Sequence, residues 1–137
     1  VTSYLLDTNV IAELRKGSRA NSGVTRWFER HAGDDLWLSV LVVAELRRGA
    51  NRIRRRNPAE ADQLDSWLDA LEASFADRIL PVTLDVVRRW AAIGIRVPFP
   101  VVDGLLVATA ITHGLTLVTR NAADIERSHA DWENPFL

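Results

Sequence analysis

Apolar residues along this chain fall into two alternating textures: short unbroken runs, and longer stretches in which they recur every three or four positions. The short runs, bounded by cap and turn residues, read as buried strands, and the spaced stretches read as helices with one apolar stripe. Ser3 to Leu6 is the first strand. Asp7 follows it directly, and Val10, Ile11 and Leu14 then repeat at helical spacing, with Gly17 predicted to end the helix. Leu36 to Leu38 is a second strand. Ser39 is placed to cap a helix on which Val42, Val43 and Leu46 flank Glu45, which turns that carboxylate inward or toward the rim. Asn57 and Pro58 stand in the favoured order for a helix start, and Leu64, Trp67, Leu68, Leu71 and Phe75 carry the stripe onward, predicting a hairpin with the preceding helix. Ile79 to Val82 is a strand, placed at a sheet edge by Pro81. Thr83 opens a helix through Val86, Val87, Trp90 and Ala91, and Val97 to Pro100 is extended because residues before proline avoid the helical region. Asp103, Leu106, Val107, Ala110 and Ile111 share one face of the next helix, which puts Asp103 in its first turn on the buried side. Gly114 is the stop, Leu115 to Thr119 the last strong strand, and Arg120 to Asp124 a turn after it.

Strands alternating with helices predict an α/β fold with a central, mainly parallel β-sheet flanked by helices. At 137 residues and 47% hydrophobic, the chain suits one domain over residues 1–137. The absence of cysteine excludes disulfides and thiolate metal sites. No apolar run approaches the ~18 residues of a membrane span, and the N-terminal segment meets Asp7 too early for a signal peptide, so a cytoplasmic protein is the expectation. The net charge of -1 hides an asymmetry, because Lys16 is the one lysine among 17 basic residues. Arg47, Arg48, Arg52, Arg54, Arg55 and Arg56 crowd a single stretch. Such a cluster is either a solvated helix face or a surface turned to phosphate or to a partner.

Candidate chemistry centres on four acids, Asp7, Glu45, Asp103 and Asp124, each beside an apolar run that pins it near the core edge. Acids belong on the surface unless something compensates them. Converging at ~6 Å, each pair would repel by roughly 3 kcal/mol at an effective dielectric of about 20, on the order of 15 kcal/mol for the set. A divalent cation removes that penalty, and carboxylate oxygens favour Mg²⁺ or Mn²⁺, ions that commonly bring a phosphate-containing substrate. Each acid also has a bland reading: Asp7 as a helix cap, Glu45 as a partner of Arg48, Asp103 as a first-turn acid on the helix dipole, and Asp124 as an Asx-turn residue. Four such coincidences are harder to accept than one site, especially since Asp7 and Asp124 follow strand ends, where open α/β sheets bind ligands. His31, His113 and His129 share no ligand spacing, and no phosphate-binding G-x-x-x-x-G-K loop is present. An aspartyl-phosphate enzyme also sets acids at strand ends but generally needs a nearby lysine, and Lys16 stands about two helical turns past Asp7.

Taken together, Leu5 to Ile11, the Ser39 to Gly49 stretch, Asp103 to Ala110, Leu117 to Asp124 and the closing Asn134-Pro135-Phe136 resemble the PIN domain, and within it a VapC-type toxin of the FitB-like group. The resemblance runs from Tyr4 to Phe136. It implies a metal-dependent endoribonuclease of a toxin–antitoxin system, using Mg²⁺ or Mn²⁺ and a metal-activated water on RNA, forming a homodimer and neutralised by a cognate antitoxin. It also implies that Asp7, Glu45, Asp103 and Asp124 are the catalytic and metal-binding acids, with Thr8, Asn9, Thr119 and Asn121 in supporting polar positions. Arg47, Arg48, Arg52 and Arg55 are candidates for RNA or antitoxin contact. The chain departs from the family's pattern at Gly104, where a better helix former is usual, and at Ile125, where phenylalanine is usual. The alternative is a catalytically idle PIN-like module that docks RNA or protein, which would normally have lost one or more of the acids.

Overall fold

The computed structural model describes residues 2–93, 99–125 and 128–137. Among these residues five parallel strands form one sheet in the order β3-β2-β1-β4-β5, built from β1 (Ser3–Leu6), β2 (Asp35–Ser39), β3 (Ile79–Leu80), β4 (Thr116–Val118) and β5 (Trp132–Glu133). The helices are α1 (Thr8–Leu14), α2 (Ser22–Arg30), α3 (Val40–Arg54), α4 (Pro58–Ser74), α5 (Leu84–Ile93), α6 (Val101–His113) and α7 (Ala122–Ile125). The α/β architecture and the parallel sheet are as the alternation of textures predicts. Pro81 follows a strand that does lie at the sheet edge.

Local chemistry explains the boundaries. The Ser39 hydroxyl accepts the Leu41 N–H at 3.0 Å and starts α3. The Asn57 side chain accepts from the Glu60 N–H at 3.1 Å with Pro58 beside it in the first turn of α4. Gly114 ends α6 in the left-handed region at φ 66°, and the following Leu115 N–H returns to the Ala110 carbonyl at 2.8 Å.

Two sequence expectations need correction, and two elements were not foreseen. α1 stops at Leu14 and gives way to a 3-10 turn at Gly17–Arg19, because the buried Glu13 carboxylate accepts from Lys16 Nζ at 3.0 Å and from the Asn21 N–H at 2.8 Å, folding the chain back early. Arg120 to Asp124 is not simply a turn, since residues from Ala122 onward form α7. α2 and β5 carried too few apolar positions to be legible. α2 is capped by Asn21, and its Gly23 permits the C-terminal tail to cross at a distance no side chain would allow, a Cβ there falling 2.3 Å from the Pro135 carbonyl oxygen. The expected extended segment at Val97 and Pro98 lies outside the described residues.

The core joins Leu5, Leu6, Leu38, Leu117 and Val118 of the sheet to Val10, Ile11, Val42, Leu68, Leu106 and Val107 of the helices, all at most 1% exposed. Most of the large rings are covered, with Trp132 left 36% exposed. Trp27 is buried, and Phe28, Trp37, Trp67, Phe75, Phe99 and Phe136 pack half-buried against the core.

The predicted α3–α4 hairpin forms and carries a polar clamp over its apolar seam. Arg47 on α3 bonds to Asp65 at 3.3 Å and Asp69 at 2.7 Å, and also pairs with Glu72, all on α4. Arg54 reaches Asp62 at 2.7 Å and also pairs with Asp65. Arg47→Ala is expected to cost about 1 kcal/mol, the scale of partly exposed ion pairs acting as a network. Urea denaturation should show a lower midpoint at unchanged slope, whereas a wild-type midpoint would mean that apolar contacts alone hold the hairpin.

Candidate active site

Strand order reverses about β1, which has β2 on one side and β4 on the other, so the carboxyl ends of β1 and β4 form a switch-point crevice. Asp7 leaves β1 there, its N–H donating to the Val118 carbonyl of β4 at 3.0 Å. Its backbone is that of the residue capping α1, so the cap reading holds in part: Oδ1 accepts the Thr8 N–H at 2.7 Å. Oδ2 does something else. It accepts the Thr119 hydroxyl from the end of β4 at 2.7 Å and, at 3.4 Å, the Asn9 amide. Asn9 in turn accepts from the Arg120 N–H at 3.2 Å, and the Thr119 hydroxyl accepts from the Asn121 N–H at 3.1 Å. All four supporting positions named from the resemblance, Thr8, Asn9, Thr119 and Asn121, therefore join one network around Asp7.

Glu45 enters through Thr8, whose hydroxyl donates to its carboxylate at 2.5 Å across from α3. This contact takes the place of the Arg48 partnership that the sequence allowed. Asp103, half-buried in the first turn of α6, lines a cleft with Asp7, Phe99, Leu106, Asn121 and Ile125. α7, which carries Asp124, contributes Ile125 to the same cleft; the Asp124 side chain lies outside the described set. Among the described residues no three acids or histidines lie close enough to make a complete ligand cluster.

The sequence did not disclose the structural roles of three residues. Phe99 and Ile125 wall the cleft, the former signalled only by its place between two prolines. Gly104, an oddity in a helix, is accounted for by Trp90 of α5, whose ring carbon and nitrogen would stand 3.0 Å from any Cβ there. The small residue lets α5 press against α6 beside Asp103.

Electrostatics single out Asp7. It is 7% exposed, and burial is the main cause raising its pKa above the ordinary carboxylate value, with the Glu45 charge adding to the rise. The bonds from Thr119, Thr8 and Asn9 oppose that rise without overcoming it. Among the described residues Asp7 has no cationic partner within salt-bridge distance. Its neutral donors leave lone pairs unfilled on a carboxylate that can accept about four bonds. A desolvated acid with spare acceptor capacity, beside a second acid and in a cleft with a third, suits a hard divalent cation held by oxygen alone.

The fold and the site define a class. The chain belongs to the PIN domain family, which matches residues 4–127. It is similar to the VapC ribonuclease Y4jK of Sinorhizobium fredii, at 33% identity with 96% of this chain and 96% of that protein covered. It is also similar to Toxin FitB of Neisseria gonorrhoeae, at 32% identity covering 96% of this chain and 97% of that protein. The crystal structure of FitAcB from Neisseria gonorrhoeae superposes with a TM-score of 0.88 at 32% identity, over 96% of this chain and 97% of that one.

The raised pKa of Asp7 has a consequence for the metal-free protein. An acid whose folded pKa lies above its unfolded value favours folding fully only below the unfolded pKa, about 3.8, and loses that contribution as pH rises through the folded value. Asp7→Asn should therefore melt higher than metal-free wild type at neutral pH, with the gap closing as pH falls toward the ordinary carboxylate range. Melting curves in EDTA check this, and a gap independent of pH would assign the effect to packing.

Proposed function

We propose that this chain is a metal-dependent endoribonuclease toxin of a toxin–antitoxin system, hydrolysing RNA phosphodiester bonds. The observation that carries the reading is the buried, cation-deficient Asp7, held by Thr119 across the switch point and sharing a cleft with Asp103. The names borne by similar proteins, a VapC ribonuclease and a FitB toxin, support the same activity and, with it, a neutralising antitoxin as partner. No helix among the described residues is long and apolar enough to cross a membrane, and a cytoplasmic setting fits an RNA substrate.

In this proposal Asp7 and Asp103 are the main ligands of Mg²⁺ or Mn²⁺, with Glu45 and Asp124 contributing directly or through water. When bound, the ion supplies charge neutralisation at the scissile phosphate and acidifies the attacking water. The protein's own groups do the positioning. Thr119 fixes the Asp7 carboxylate, Thr8 aims Glu45 toward the same end of the sheet, and Asn9 ties the loop after β1 to the loop after β4. Phe99, Leu106, Leu117 and Ile125 present apolar walls that limit water around the acids and strengthen their pull on a cation. The reaction needs no side-chain nucleophile.

RNA cleavage with Mg²⁺ or Mn²⁺ is expected to vanish in EDTA and in Asp7→Asn and Asp103→Asn, with both variants retaining wild-type circular dichroism. Undiminished cleavage in EDTA by the purified protein would end the metal mechanism.

A homodimer is part of the same proposal. The large apolar side chains that the single chain leaves in water are chiefly aliphatic, and besides Val40, Trp132 and Leu137 they include Leu84 at 63% and Val87 at 40% exposed on α5, with Val101 at 61% at the start of α6. Light scattering at micromolar concentration should report about twice the 15.3 kDa chain mass, and Leu84→Asp should reduce it to one. A monomer that cleaves RNA at full rate would show that one subunit suffices.

A further inference from the structure

α3 sorts its arginines. Arg47 and Arg54 face α4 and are neutralised there by Asp62, Asp65, Asp69 and Glu72. Arg48, Arg52 and Arg55 lie on the outer side with Asn51 among them, lining one shallow surface, all exposed and with no carboxylate partner among the described residues. Successive members of this trio are four and three positions apart, so their like charges act against the helix. The helix dipole favours cations in the last turn, which accounts for Arg52, but Arg48 sits more than a turn earlier and gains nothing from it. An anionic partner relieves all three at once.

Their position relative to the site is specific. Glu45, aimed at the site through Thr8, precedes Arg48 by three residues, close to one turn, and at about 1.5 Å per residue the trio extends about 15 Å along the axis from Glu45. The three guanidiniums follow one side of the helix away from that acid, each able to make paired bonds to a phosphate. We infer that Arg48, Arg52 and Arg55, with Asn51 between them, form a track for the sugar–phosphate backbone of single-stranded RNA leading to the acidic crevice.

This inference rests on the ribonuclease reading, and the test separates the two. In an Asp103→Asn background, binding of a short fluorescent single-stranded RNA is titrated between about 50 and 200 mM salt, with and without Arg48→Ala, Arg52→Ala and Arg55→Ala together. Loss of three phosphate contacts should flatten the slope of log affinity against log salt by up to about 2, at ~0.7 per contact on a single strand. The same triple change in the otherwise wild-type enzyme should raise KM while largely preserving kcat, because the contacts are remote from the reacting phosphate and act equally in ground and transition states. Arg88→Ala with Arg89→Ala, two exposed cations on α5, is the control for net charge and should leave the slope in place. An unchanged slope in the triple variant, or equal flattening in the control, would overturn the track. A wild-type slope together with loss of a co-expressed partner protein would overturn it in favour of protein docking. Wild-type protein that binds RNA with the expected slope but never cleaves it would instead remove the ribonuclease reading and leave the track standing.

Discussion

The parallel pairing of β1 with β4 is the constraint on which the site depends. It aligns Leu6 with Val118, so that the next residues, Asp7 and Thr119, leave the sheet side by side and bond at 2.7 Å. β5 then fixes the far side of β4, with the Thr119 N–H donating to the Glu133 carbonyl at 2.9 Å. A slip of one residue between β1 and β4 would reverse every side chain relative to the core, and the two layers of leucine and valine forbid it. Apolar packing thus sets the register, and the register places a carboxylate where its burial is costly.

In the proposed function that cost is the chemical asset. A surface aspartate would share its charge with water, whereas Asp7 keeps it in a partly dry crevice with neutral hydroxyl and amide donors. On the proposed metal-dependent reading, the arrangement trades stability of the metal-free chain for attraction to a cation, a conflict typical of sites in which local rules are broken and compensated elsewhere. Compensation here comes from the large apolar core and from the two hairpin-like helix pairs, α3 with α4 and α5 with α6, that brace the acids from either side.

α3 shows how one helix can serve three ends. Val42, Leu46 and Ala50 are buried in the core, Arg47 and Arg54 tie it to α4, and the exposed arginines face solvent. The dense basic stretch in the sequence is therefore two populations, one paired with the acids of α4 and one turned outward. Composition could not separate them, because the acids that claim Arg47 lie 18 to 25 positions further along.

Much of the architecture was legible because its determinants are short-range. Apolar spacing marked α1, α3, α4, α5 and α6; Ser39, Asn57 and Gly114 marked their ends; and each acid could be assigned to the close of a strand or the flank of a helix. α2 and β5 were not legible, since a helix with few apolar residues and a two-residue strand draw their stability from neighbours rather than from their own pattern. Nor could the sequence account for Gly104, whose reason is the ring of Trp90 on another helix. What only the tertiary structure decided is which ends meet. The bond between Asp7 and Thr119 joins residues 112 positions apart, and such proximity follows from strand order and register, which are properties of the packed sheet and of no local segment.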